Sequence, residues 1–179
     1  MTAYPVLTVT TFLPLVAATL ILLLGSERFA RWIALGGTLA TLAGAAPLFL
    51  YFDKTWSALQ FVESRAWIPS LNIDYSMGVD GISLPFIFLA ALLSILCVGV
   101  SWTAVETRPR EFYAALLVAE TAMIGLFASA NLFLFFVFWE LMVIPMLLII
   151  GVWGGPDRVY AAVKFLIFTL SGSVLMLVG

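Results

Sequence analysis

Three ionisable side chains, Glu120, Glu140 and Lys164, fall inside stretches of sequence that are otherwise apolar over a membrane's thickness. A charge at membrane depth costs roughly 3 kcal/mol even on insertion-based scales, so such residues usually serve ion or proton movement or pair with an opposite charge. Glu140 stands near the middle of the run 132–152. Five residues on, Pro145 lacks an N–H, so the carbonyl of Leu141 loses its helical partner beside the carboxylate. A carboxylate, a freed carbonyl and room for water are the ingredients of a proton relay. The rival reading of Glu140 is a helix–helix hydrogen bond or a neutral carboxyl. Glu120 reads equally as a relay member or as a structural partner. Lys164 has a stem long enough to snorkel to the interface. Alternatively, it is a cation that faces Glu140 and favours its charged form.

These groups need helices to hold them. The 179-residue chain is 64% hydrophobic and 10% charged, against about 45–50% and about 25% for soluble domains. Lipid is the only solvent that suits this composition. The expected fold is an all-α polytopic transmembrane bundle with spans near 6–25, 30–52, 84–104, 112–130, 132–152 and 158–179, each about 20 residues. The first run has no basic region or small-residue cleavage site and reads as a retained helix. Ser129-Ala130-Asn131 leaves the fourth and fifth spans no choice but an antiparallel hairpin. Counted from that turn at 1.5 Å per residue, Glu120 lies about 15 Å deep and Glu140 about 13 Å. The two carboxylates should therefore share one depth on adjacent helices.

Arg28, Arg31, Arg108, Arg110 and Arg158 fall in the loops of one side, which predicts that side as cytoplasmic and the N-terminus as outside. Five of the six Trp lie near span ends, as an interfacial belt requires, and Trp139 is the exception. In the outer loop, about 53–83, Leu71, Ile73, Tyr75, Met77 and Val79 alternate with Asn72, Asp74, Ser76, Gly78 and Asp80, which predicts a short strand. Asp80-Gly81 makes a turn, with Ser83 as the cap of the third helix and Pro85 in its first turn. Gly154 to Asp157 forms a break, so the sixth helix begins near Arg158.

Other chemistry is scarce. With no His and a lone Cys97, a haem, iron–sulfur or zinc centre would need ligands from elsewhere. The eight basic residues are scattered, which argues against nucleic acid. Cys97 reads as a small core residue, Ser171, Gly172 and Ser173 as packing residues, and Phe133, Phe135, Phe136 and Phe138 as surface facing lipid or a neighbour.

Three motifs point to a family. Leu134-Phe-Phe-Val-Phe-Trp-Glu140-Leu-Met-Val-Ile-Pro145 resembles the fifth-helix signature of the M-subunit family of bacterial NADH–quinone oxidoreductase, respiratory complex I. Gly78-Val-Asp-Gly81-Ile-Ser-Leu is similar to the motif that opens that family's third helix. Arg158-Val-Tyr-Ala-Ala-Val-Lys164-Phe, followed by Gly172-Ser173 and Met176-Leu, resembles its sixth. The likeness runs the length of the chain and extends more loosely to the L and N subunits and to multi-subunit cation/proton antiporters. It implies that Glu140 is the glutamate of an antiporter-like proton channel, and that Glu120 stands where many M subunits carry a fourth-helix glutamate. Further lysines are implied on seventh and eighth helices, and the chain is expected to be the N-terminal part of a longer subunit. Residues 1–110 would form a three-helix unit and 111–179 the start of an antiporter-like repeat. The implied partners are other membrane-arm subunits, the lipid bilayer and protons, in a bacterial cytoplasmic membrane. NADH, FMN, iron–sulfur clusters and quinone are expected on other subunits, with no cofactor in this chain. The alternatives are a subunit of a cation/proton antiporter, or a non-pumping structural fragment.

Overall fold

The computed structural model describes residues 5–24, 26–56, 58–71 and 73–178; residues 1–4, Gly25, Ser57, Asn72 and Gly179, and the side chains of Arg28, Leu71 and Val178, lie outside the described residues. Six helices, each long and apolar enough to span a bilayer, follow one another: α1 (Val6–Leu24), α2 (Glu27–Leu50), α3 (Ser83–Ala104), α4 (Pro109–Ala128), α5 (Leu132–Trp153) and α6 (Arg158–Val178). All six spans fall where the hydropathy places them. The central helix is α4, which packs against α1, α2, α3 and α5, while α6 lies at the edge on α5. Small residues permit the close approach: a Cβ added at Gly37 of α2 would come within 2.6 Å of the Ala17 side chain of α1.

The outer loop holds more than one strand. β1 (Gln60–Ile68) and β2 (Ile73–Val79) form an antiparallel hairpin, joined through a 3-10 turn at Pro69–Leu71. Its second strand is the one the alternation predicts. The first shows no clean alternation and exposes residues on both faces, so periodicity passes over it. β2 buries Met77 and Val79 in the outer end of the bundle. It is fastened to the α4–α5 turn, where the Ala130 N–H donates to the Ser76 carbonyl (2.9 Å) and Asn131 Nδ2 to the Asp74 carbonyl (2.6 Å).

Helix ends are satisfied by a consistent device. The odd-numbered helices share one direction, and each N-terminus at the hairpin end meets an oxygen-bearing side chain. Glu63 of β1 accepts from the Leu7 N–H (2.7 Å) and Thr8 N–H (3.1 Å) of α1. Asp80 accepts from the Ile82 N–H (3.0 Å) and Ser83 N–H (2.6 Å) at α3. Asn131 accepts from the Leu134 N–H (2.7 Å) at α5. Such acceptors satisfy orphan amides and suit the positive helix end. At the opposite face, guanidinium groups take orphan carbonyls: Arg110 donates to Leu22 of α1, Arg31 to Val105 after α3, and Arg158 to Val152 of α5. The expected Ser83 cap is corrected here. Ser83 is the first helical residue and Ile82 the N-cap position, which makes no side-chain cap bond. Asp80, two residues before Ile82, supplies the capping carboxylate, with Ser83 Oγ accepting in return from the Asp80 N–H at 3.0 Å.

Candidate functional site

The two intramembrane glutamates sit at one depth. Glu120 is eight residues from the end of α4 at Ala128, and Glu140 is eight from the start of α5 at Leu132, about 12 Å below the turn that joins them. The turn forces this match, and the antiparallel packing of α4 on α5 maintains it.

They do not face each other. The register of α4 on α5 is locked by Phe138, whose ring fills the space a side chain at Gly125 would need; an added Cβ there would lie 2.3 Å from it. At 100° per residue, Glu120 points about 140° away from Gly125 around α4, and Glu140 about 160° away from Phe138 around α5. Glu120 is fully buried, and neither of its oxygens has a hydrogen-bond partner. Glu140 is half-buried, with Oε1 buried and unpartnered. Its neighbour Trp139 turns toward α6 and lines a shallow cleft with Phe168, Thr169, Gly172, Ser173 and Met176. The two carboxylates thus share a depth but serve different faces: Glu120 the interior of the first helices, Glu140 the flank of α5 away from α4.

Lys164 stands apart from both. Its side chain is exposed on α6, with Nζ 5.8 Å from the centroid of the Tyr160 ring. It is six residues from the end of its helix at Arg158, whereas Glu140 is thirteen from Trp153 at the same face. That difference is about 10 Å along the membrane normal, beyond what a lysine stem spans. Among the described residues no ion pair joins Lys164 to Glu140; the pair present is Arg108 with Glu111 at the surface, 3.4 Å.

Two minor expectations are corrected. Cys97 is exposed on the outside of α3, since around the helix it lies about 60° from the buried Ser94 and about 100° from the buried Val98, off the edge of the packed stripe. Phe138 is buried, because Gly125 opens a socket for it. Sequence reasoning missed that socket, and it missed the Glu63 clasp on α1. Both depend on pairings between distant segments that no local pattern reports.

Over 179 residues the chain is 45% identical to NADH-quinone oxidoreductase subunit M of Rhodobacter capsulatus, covering 97% of this chain and 34% of that protein. It is 39% identical to NAD(P)H-quinone oxidoreductase chain 4 1 of Nostoc, covering 98% of this chain and 33% of that one. The chain is a relative of the M subunits of NADH–quinone oxidoreductase. Residues 129–179 match the family described as NADH:quinone oxidoreductase/Mrp antiporter, TM, a stretch that contains Glu140 and Lys164 but not Glu120. Among solved structures, respiratory complex I from Thermus thermophilus with bound NADH superposes at TM-score 0.84 with 30% identity, over 96% of this chain and 34% of that one. The Mrp complex from Dietzia shares the fold, at TM-score 0.74 and 20% identity, over 96% of this chain and 18% of that one. This chain spans about a third of the length of the curated relatives it matches.

Proposed function

We propose that this chain contributes to proton translocation in the membrane arm of an NADH–quinone oxidoreductase, with Glu140 as its central proton-exchanging group. The observation that carries the reading is the setting of Glu140. It is a midplane carboxylate with a buried, unpartnered oxygen, on the flank of α5 not used for packing on α4. Among the described residues, the buried Oε1 has no hydrogen-bond partner that would account for a carboxylate in that place. Glu120, at the same depth inside the helix bundle, is the second exchanging group, and Lys164, exposed on α6, is the third. In this reading NADH oxidation and quinone reduction, with FMN and iron–sulfur clusters, occur on other subunits. Residues 1–110 brace the site, and residues 111–179 open an antiporter-like repeat. The chain sits in a bacterial cytoplasmic membrane beside other membrane-arm subunits, with its N-terminus outside.

The description of the matched family also names the Mrp antiporter, so an antiporter subunit is the second reading. Purification from native membranes through a tag on the chain separates the two. Flavin and iron–sulfur absorbance co-purifying in fixed ratio is the expected result. Recovery with membrane subunits alone, and sodium-dependent proton exchange, would instead favour the antiporter.

A further inference from the structure

Between its two apolar clusters the bundle carries a buried polar layer. The outer cluster includes Leu7, Leu48, Met77, Ile87 and Ile124, and the inner one Ile21, Ala34, Val98 and Leu117. The register between them follows from direct contacts. A Cβ at Gly37 of α2 would meet Ala17 of α1 at 2.6 Å and Leu117 of α4 at 3.6 Å, so these three residues share a level. Three residues outward from it stand Pro14 on α1 and Glu120 on α4. Phe86 of α3 stacks on Phe127 of α4 with centroids 5.1 Å apart, which brings Ser94 to the level of Glu120, seven to eight residues farther in. Thr11, Thr38, Thr41, Ser94 and Thr121 therefore surround that level within about one turn, and all are 0–2% exposed.

The hydrogen bonding of this layer is incomplete in one particular way. Thr38, Thr41, Ser94 and Thr121 donate their hydroxyl protons to carbonyls of their own helices, at 2.9–3.1 Å. They are left with lone pairs to offer. Pro14 has no N–H, so the carbonyl of Thr10 loses its usual helical partner and is one more acceptor. Both oxygens of Glu120 and the hydroxyl of Thr11 have no partner within hydrogen-bond reach. The unpartnered oxygens of Glu120 and Thr11 thus lie within about a turn of hydroxyls that have only lone pairs left to offer, and a molecule that both donates and accepts would satisfy them. Water is that molecule, and buried polar groups without protein partners ordinarily hold it.

We infer that α1–α4 enclose a small water cluster that bridges Glu120 to the hydroxyls of Thr11, Thr41 and Ser94. It is an internal hydration site lying between the two apolar clusters, on the side of α4 away from the Glu140 flank. It goes beyond the proton-transfer reading and stands whether or not the chain pumps.

The test is X-ray hydroxyl-radical labelling of the chain in its native membranes, read by mass spectrometry. Radicals form from the bound water itself, so buried residues beside it react without access to bulk solvent. Pro14 and Leu117, beside the layer, should be modified at least about fivefold faster than Leu48 and Ile87 in the outer cluster, after correction for intrinsic reactivity. Combining Thr41→Val with Ser94→Ala should bring Pro14 down to the rate of the apolar cluster, while Thr41→Ser should not. Equal rates at the four wild-type positions would overturn the inference even if the double variant failed to fold. So would protection that appears in sodium and disappears in choline, which would mean that a cation fills the layer. Because labelling needs neither electron transfer nor pumping, a failure here is distinguishable from a failure of the proton-path reading.

Discussion

At the scale of residues, burial separates two glutamates that look alike in the sequence. Each interrupts an apolar run at the same distance from one turn, and both were legible from charge alone because a carboxylate in hydrocarbon is conspicuous. Their facing was not legible, since it depends on Phe138 seating at Gly125. That socket makes a sharp prediction. Gly125→Ala places a methyl group into the Phe138 ring and should destabilise the protein by about 1–3 kcal/mol through overpacking. Adding Phe138→Leu, which vacates the ring's position, should recover much of the loss. Thermal unfolding of the purified protein in detergent measures both. A Gly125→Ala variant as stable as wild type would show that α4 and α5 do not meet in this register.

At the scale of elements, caps rather than hydropathy fix where the outer-face segments begin and how they are tied. Asp80 is the clearest case. Amide donation from Ser83 outweighs the opposing effect of desolvation, and holds its carboxyl below the usual aspartate range. A lowered folded-state value stabilises the protein above the unfolded-state value of about 4, and that stabilisation is lost as pH falls through the folded value. Asp80→Ala should therefore cost about 1 kcal/mol near neutral pH. The gap between wild type and variant should close in acid below about pH 4, as followed by thermal unfolding across pH. A gap that widens in acid would contradict the assignment. Asp80→Asn should keep most of the cap, because an amide oxygen still accepts.

The six helices were legible because lipid imposes length and composition on every span, leaving little room for rival readings. β2 was legible from its period-two pattern. β1 was not, because its exposed residues fall on both faces, and it is held by pairing with β2 and by Glu63 reaching across to α1. The arginines of the other face carried a topology signal in the sequence. That they also close helix C-termini, Arg110 on α1, Arg31 on α3 and Arg158 on α5, required the folded structure.

At the scale of the whole molecule, carboxyl and amide caps at one face and guanidinium caps at the other give the bundle a polarity that agrees with the positive-inside rule. In a Cys97→Ala background, Ser76→Cys in β2 should react with a membrane-impermeant maleimide from outside intact cells. Ser26→Cys, before α2, should react only after the membrane is opened. Labelling of both from outside would refute the orientation. The most direct test concerns Glu140. In the native membrane complex, Glu140→Gln keeps shape and hydrogen bonding but cannot ionise, and Glu140→Asp keeps a carboxyl on a shorter stem. Proton uptake by inverted vesicles during NADH-driven quinone reduction is the measurement, with subunit content checked by blot. The account predicts uptake at least about tenfold lower in the Gln variant with assembly intact, and partial uptake in the Asp variant. Wild-type uptake in a fully assembled Gln variant would contradict it and leave Glu140 a structural residue.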